Sequence, residues 1–324
     1  MEIYAIMKQA KSKLQKLITL LFSFIGLIFI AFNTHAAVLT SIKPIAFITK
    51  AIADNVTETE VLLPDGVSPH TYALKPRDVQ NIKSAELMIW ISQDMETFLP
   101  NILRNIDANK QIELSQLPAI NALLYRNETY HDHDHDHDHD HDHDHDHDHD
   151  HGNIDYHIWL SPTIAKKIAI AIHDKLLQYY PEKQVILDKN LNDFIFTLTN
   201  FEQVIAKNLI NVENRRYFVF HDAYGYFERQ FGLKNLGSFT INPDIQPGAQ
   251  KAYHIRQQLV NNNAFCIFKE PQFNPAIIDK VIADTQVHVG TLDPLGMGIP
   301  LTKDAYFMFL TNLSEQYQSC LSSN

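Results

Sequence analysis

Three histidines and one aspartate stand where a side chain can do chemistry rather than fill a core: His70, His157, His221 and Asp293. His70 ends "TEVLLPDGVSPH", a strand-like run followed by a Pro/Gly turn. His157 opens "HIWLSP", ahead of a helical segment. His221 directly follows the strand-like "YFVF", and Asp293 lies in "GTLDPLG" after another such run. Loops and element ends are where functional side chains gather. Three imidazoles and a carboxylate make a near-tetrahedral zinc set, with Zn–N about 2.0–2.1 Å. Each residue comes from a separate segment, so spacing alone leaves open whether the four meet. The free imidazole pKa is about 6.5, so such ligands are expected to protonate around pH 5 and release metal. The other isolated histidines have blander settings. His35 lies in an N-terminal leader, His173 and His254 fall on outward faces of helical segments, and His288 is a core or edge residue of "VHVG".

A second metal-seeking feature is the strict His/Asp alternation over residues 131–151. Its histidines are His131, His133, His135, His137, His139, His141, His143, His145, His147, His149 and His151. With no apolar residue to bury, the tract is expected to be disordered. Imidazoles on a flexible chain form shifting sites of two or three ligands, and the aspartates concentrate divalent cations nearby. Such a chain also takes copper and nickel, because selectivity needs fixed geometry. A flexible segment of this length spans roughly 25 Å. His151 is six residues from His157, so metal held on the tract stays tethered near that histidine, at an effective concentration on the order of mM. The tract is therefore expected to act as a reservoir of low selectivity.

The elements that must position these residues alternate between short β-like runs and helices. "AVLTSI" (37–42), "TEVLL" (59–63) and "LMIWI" (87–91) predict strands, and Pro44–Ala53 and Pro76–Ala85 predict helices opened by proline. The rhythm stops near residue 115 and resumes at "DYHIWLSP" (155–162) with a helix over Thr163–Tyr180. Leu187, Leu191, Phe194, Leu198, Phe201 and Ile205 then form one apolar stripe at steps of 3 and 4, predicting a helix of about 28 residues, near 42 Å long. Such a helix either spans two lobes as a rigid spar or lies in the core of one domain. A second β/α series follows: "YFVF", "NLGSF", "AFCIF" and "VHVG" alternate with helices and close on a terminal helix from about Thr302. The expected fold is α/β, with two lobes, each a mostly parallel sheet flanked by helices. Its expected boundaries are a leader over 1–36, an N-terminal lobe over 37–181 with an insertion at about 117–152, a linking helix over 182–211 and a C-terminal lobe over 212–324. In open α/β sheets, ligands bind beyond the carboxyl ends of strands, so the residues just after strands are the ones to inspect.

Lys8, Lys11, Lys13 and Lys16, the uncharged run Leu17–Phe32 and the small residues of "THAA" have the pattern of a secretory signal peptide cleaved after Ala36. Setting aside those four lysines and Glu2 takes the formal charge from −11 to −14, and the ten aspartates of the tract account for all but −4 of that. Nothing basic suggests nucleic acid, and no run after residue 36 is long enough to span a membrane. Two cysteines in an exported chain, Cys266 and Cys320, most simply form one disulfide, although two unrelated buried thiols are the alternative.

The stretches "LLPDGVSPHTYALKPRDVQNIKSAELMIWIS", "DYHIWLSP", "YFVFHDAYGYFERQFGL", "INPDIQPGAQ", "FKEPQFNPAIID" and "GTLDPLG" resemble, in order, those of the periplasmic zinc-binding proteins of bacterial ABC zinc uptake systems. The likeness runs from about Val38 to the C-terminus, with only the insertion variable. It implies two α/β lobes joined by one long rigid helix, with Zn²⁺ in the cleft between them. It carries the histidine ligands onto His70, His157 and His221, and a carboxylate that is a ligand in manganese relatives onto Asp293; in zinc members that contact can be weak or replaced by water. It also implies a Cys266–Cys320 disulfide, a His-rich loop at the insertion, and a monomer that hands zinc to an ABC permease driven by its ATPase in the periplasm. One departure matters: zinc members often carry Glu immediately before the first ligand histidine, and here Pro69 stands there, leaving Asp293 or water as the fourth ligand. Two competing readings are a secreted zinc hydrolase and a metal buffer without a transporter. The chain has no H-E-x-x-H, no G-x-S-x-G and no glycine-rich phosphate loop, and a buffer would not need ordered lobes.

Overall fold

Strands buried along their whole length must be covered on both faces, and parallel sheets achieve this with helices. Val38–Thr40 and Leu87–Trp90 are buried throughout and form the centre of the first sheet. The computed structural model describes residues 38–126, 154–240, 248–273 and 276–322. The leader (1–36), the His/Asp tract (131–151), Pro247 and Pro275 lie outside the described residues. The elements run β1 Val38–Thr40, α1 Lys43–Ala53, β2 Thr59–Val61, α2 Pro76–Ser84, β3 Leu87–Trp90, α3 Pro100–Leu103, β4 Gln111–Glu113, α4 Pro118–Asn121, β5 Tyr125–Arg126, β6 Ile154–Asp155, α5 Pro162–Tyr179 and α6 Gln184–Leu209. They continue with β7 Arg216–His221, α7 Gly225–Phe231, β8 Lys234–Thr240, α8 Ala249–Asn261, β9 Cys266–Lys269, α9 Ala276–Ile282, β10 His288–Thr291 and α10 Ala305–Leu321. No helix among the described residues is long and apolar enough to cross a membrane.

Two parallel four-stranded sheets result, in the orders β2-β1-β3-β4 and β10-β9-β7-β8. Val38 faces Thr59 on one side and Leu87 on the other, and in the second sheet Tyr217 faces Cys266. The expected α/β class and long helix are borne out. Helix α6 has 26 residues, about 39 Å at 1.5 Å per residue, and a 3₁₀ turn at Pro181–Lys183 leads into it. Leu187, Phe194, Leu198 and Ile205 of its stripe are buried, while Leu191 and Phe201 are only partly so. The first ten residues of the expected insertion, 117–126, are built into α4 and β5, and β5 pairs antiparallel with β6.

Both sheets belong to one compact unit, 36–324. The larger cluster of buried apolar side chains runs from Val38 and Leu39 through Trp159, Leu198 and Tyr217 to Leu321, and a smaller one, including Phe218, Phe239 and Ile267, fills the other face of the second sheet. Two hydrogen bonds tie the halves together near the strand ends: Trp159 Nε1 donates to Pro294 O (2.7 Å) and Tyr306 Oη donates to Trp159 O (2.8 Å). Cys266 of β9 and Cys320 of α10 form the disulfide. It anchors the terminal helix under the second sheet.

His173 departs from expectation. It is buried rather than outward-facing, with Nδ1 2.9 Å from Asp174 and Nε2 2.8 Å from Asp188 of α6. Burial opposes its charge, but the hydrogen bonds and charges of the two carboxylates prevail and hold its pKa above the ordinary value. A neutral ring could donate to only one of the two carboxylates, so the tie between α5 and α6 is an imidazolium tie.

Two outcomes are expected. A Cβ on Gly290 would lie 2.5 Å from Phe268 Cε1 and 2.9 Å from Cys320 Cβ, so Gly290→Ala should lower unfolding stability in urea by about 1–3 kcal/mol; an unchanged midpoint would mean that β10 shifts freely. For His173, a folded pKa above the unfolded value makes the stabilisation complete below about pH 6.5 and lost as pH rises through the raised value. The stability gap between wild type and His173→Asn should therefore shrink as pH rises above about 6.5, and a gap constant with pH would contradict the charged tie.

Candidate metal centre

The three histidines are presented by three kinds of local structure. His70 lies on the segment after β2, which turns at Gly66. That residue has φ +74°, and a Cβ there would come 2.9 Å from Met297 Sδ, so glycine suits both the turn and the approach. The backbone N–H of His70 donates to Ser68 Oγ (3.2 Å). Beyond it the chain is fixed by the start of α2, where the Asp78 carboxylate accepts from Lys75 N and from Tyr72 Oη (both 2.7 Å) and Pro76 stands in the first turn. His157 follows β6 and leads through a 3₁₀ turn into α5, which Ser161 caps by accepting from Ile164 N (3.2 Å). His221 is the last residue of β7, a central strand of the second sheet.

The structure brings these histidines together. Their candidate ligand atoms all lie within 4.8 Å of one another. The ring centroids are 5.5 Å apart for His70–His157, 5.2 Å for His70–His221 and 4.8 Å for His157–His221. Around a tetrahedral zinc the nitrogens stand roughly 3.4 Å apart, a difference that small side-chain rotations cover. The rings border a cavity of ≈ 10 Å³, closed further by Pro69, Trp159 and Leu295; that is room for about one water-sized sphere.

Carboxylates stand behind two of the rings. Asp155 Oδ1 lies 2.8 Å from His157 Nδ1 and also accepts from the His157 backbone N–H (2.9 Å). Glu270 Oε1 lies 3.1 Å from His221 Nδ1 and accepts from Tyr224 Oη (2.8 Å). A carboxylate at Nδ1 selects the tautomer that leaves the Nε2 lone pair for a cation. Nε2 of His70 and of His157 is buried with no hydrogen-bond partner among the described residues. Buried polar atoms are rarely left so unless a ligand is meant to meet them.

The electrostatics revise one expectation. Burial, reinforced by the neighbouring His157 and His221, lowers the pKa of His70 to about 2. Its ring thus stays neutral at pH 5 instead of protonating with the free imidazole. Burial also pushes the Glu270 carboxyl up to about 8, the Tyr224 hydrogen bond and His157 pulling against it and Asp293 adding to it. A cation in the cleft would favour the ionised form of this carboxyl.

Asp293 is at a strand end, as expected, yet its carboxylate is not among the converging ligand atoms. It accepts from Gln272 Nε2 (2.8 Å), Leu295 N (3.0 Å) and Met297 N (2.5 Å) and so shapes the 293–297 turn. His254 is exposed on α8 and His288 is exposed on the edge strand β10. The sequence reading missed Asp155, Glu270 and Tyr224. Asp155 and Glu270 both had a signal: an acid two residues before His157, and an acid directly after β9, where strand-end residues gather.

Comparison with known proteins agrees with this geometry. Residues 38–320 match the family described as zinc-uptake complex component A, periplasmic, ZnuA. The high-affinity zinc uptake system protein ZnuA of Yersinia pestis is 54% identical over 88% of this chain and 91% of its own length. The protein of the same name from Buchnera aphidicola subsp. Schizaphis graminum is 36% identical over 99% of each. Among solved structures, a crystal structure of ZnuA superposes with a TM-score of 0.70 at 24% identity, covering 88% of this chain and 98% of that one. A zinc-bound deletion mutant of ZnuA gives a TM-score of 0.69 at 24% identity, covering 89% of this chain and 98% of that one. Matched along nearly all its described length and more than half identical to a zinc-uptake protein, the chain belongs to the ZnuA family, the periplasmic binding components of zinc transport, which are not enzymes.

Proposed function

We propose that this protein captures Zn²⁺ through Nε2 of His70, His157 and His221 and delivers it to the permease of an ABC transporter driven by its ATPase. The observation that carries the reading is the convergence of three imidazoles on a space for one ion, two of them backed by carboxylates. Imidazole suits zinc, and three such ligands favour it over the harder manganese. The fourth position falls to water, or to Asp293 once its bonds to Leu295 N and Met297 N are given up; the cost of breaking charge-assisted hydrogen bonds favours water. The leader over 1–36 would be removed on export to the periplasm, and the mature chain would act as a monomer in two lobes about the linking helix. The tract over 131–151 serves as a reservoir, rooted next to His157 by the β5–β6 pair.

The assignment sets two expectations. In protein lacking 131–151, wild-type ligands should bind one Zn²⁺ tightly by chelator competition. Each of His70→Ala, His157→Ala and His221→Ala should weaken this at least tenfold, and the triple variant should lose it; stoichiometric tight binding by the triple variant would sink the assignment. Glu270→Gln removes the carboxyl behind His221 whose ionised form a bound cation would favour. Loss of such a partner typically costs 10–100-fold in affinity, so zinc binding should fall by about that factor while the metal-free melting temperature holds. An unchanged affinity would leave Glu270 with a role in packing alone.

A further inference from the structure

The geometry points to Tyr226 as a positioning residue of the metal centre, acting through Asp155 on His157. This inference rests on the zinc-binding reading above. His157 is aimed by the Asp155 carboxylate, and Asp155 sits at the end of β6, whose described residues Ile154 and Asp155 pair with Arg126 and Tyr125 of β5. An isolated two-stranded ribbon is marginally stable at best in water. Its carboxylate is fixed in space only if something else fixes the ribbon.

Tyr226 of α7 does so with one atom. Its hydroxyl accepts from Tyr125 N (2.9 Å) and donates to Asp155 O (2.7 Å). Tyr125 and Asp155 are register partners across the ribbon, so a single hydroxyl bolts both strands at the same rung. The Tyr226 side chain is buried, 6% exposed, where the hydrogen bonds are shielded from competing water. One turn further on, the Arg229 guanidinium lies over the Tyr125 ring at 3.2 Å and near the Tyr226 ring at 5.2 Å, which clamps the outer face of the ribbon. Gly225, next to Tyr226, leaves room for the carboxylate it serves: a Cβ there would lie 3.2 Å from Asp155 Oδ2.

Helix α7 directly follows β7, which ends in His221. The same stretch that delivers one histidine from the second sheet thus sets the register of another delivered from the far side of the cleft. The hydroxyl touches no candidate ligand, so its contribution is orientation. It keeps the Asp155 carboxylate where His157 Nδ1–H must point, and hence keeps Nε2 aimed at the shared space.

The test uses the full chain loaded with one equivalent of Zn²⁺ and mixed with excess chelator, the slow phase of release being followed. His157→Ala, which should abolish the slow phase, identifies it as release from the centre. Tyr226→Phe should speed that phase about tenfold, by the logic of lost outer-shell partners. Tyr179→Phe, which removes a hydroxyl donated to Asn109 O at the end of α5 opposite His157, should leave it unchanged. The downfield NMR signal of the His157 Nδ1 proton, assigned by its loss in Asp155→Asn, should shift or broaden in Tyr226→Phe and not in Tyr179→Phe. Release and signal both unaltered by Tyr226→Phe would overturn the positioning role and leave the zinc site standing, and equal acceleration by the two tyrosine variants would overturn it as a general loosening. A slow phase that survives His157→Ala would overturn the zinc-site reading, and the positioning role with it.

Discussion

A buried imidazole nitrogen with no partner is costly, at roughly 1–3 kcal/mol for a desolvated polar atom. Two such atoms, on His70 and His157, face one small space, and the surrounding structure is organised to keep them there. Asp155 and Glu270 occupy the opposite nitrogens of His157 and His221, so those rings cannot rotate to satisfy themselves elsewhere. His70 is kept neutral by burial beside two other rings. The site is thus a set of lone pairs that the protein itself cannot use. A cation recovers the cost, which makes the free energy of assembling the cleft part of the free energy of capture.

Holding unsatisfied atoms in place requires a stiff frame. Parallel strands supply it, because their carboxyl ends converge while their bodies are buried on both faces. The first sheet leads into the His70 segment, the second ends in His221, and the turns after β9 and β10 contribute Glu270 and the 293–297 loop. One apolar cluster spans both halves, and the indole of Trp159, packed 5.1 Å from the His157 ring, donates across to Pro294. A further polar link joins the halves at the His70 segment: Asp65 accepts from Gly298 N (2.9 Å) and pairs with Lys43 (2.8 Å). The lobes are therefore fastened beside the cleft as well as along α6, and wide swinging of one against the other would break buried contacts.

Much of this was legible from residue order. The three histidines announced themselves by standing in loops or at element ends, and the stripe from Leu187 to Ile205 marked the long helix because buried helix faces repeat every three or four residues. What stayed hidden depended on neighbours distant in sequence. His173 looked outward on its own helix, but α6 crosses that face and brings Asp188 to it. Asp155 and Glu270 were visible as acids but not as acids aimed at a ring, since hydrogen bonding follows side-chain direction. Asp293 occupied the right position, yet its carboxylate serves backbone donors in its own turn. Segment 117–126 passed for part of the insertion because elements of two to four residues are too short to show a period.

The β5–β6 pair has one more implication, for how the His/Asp repeat can evolve. Tyr125 and Arg126 lie opposite Asp155 and Ile154, so the described residues on either side of the tract are held at adjoining points. The entropy of closing a loop grows only logarithmically, and doubling the length adds about 0.6 kcal/mol. A tract with nothing apolar to bury adds only that closure cost as it lengthens, so gain or loss of His–Asp units should barely alter folding. The length of the repeat can therefore change without touching the cleft, whose converging histidines all lie outside it.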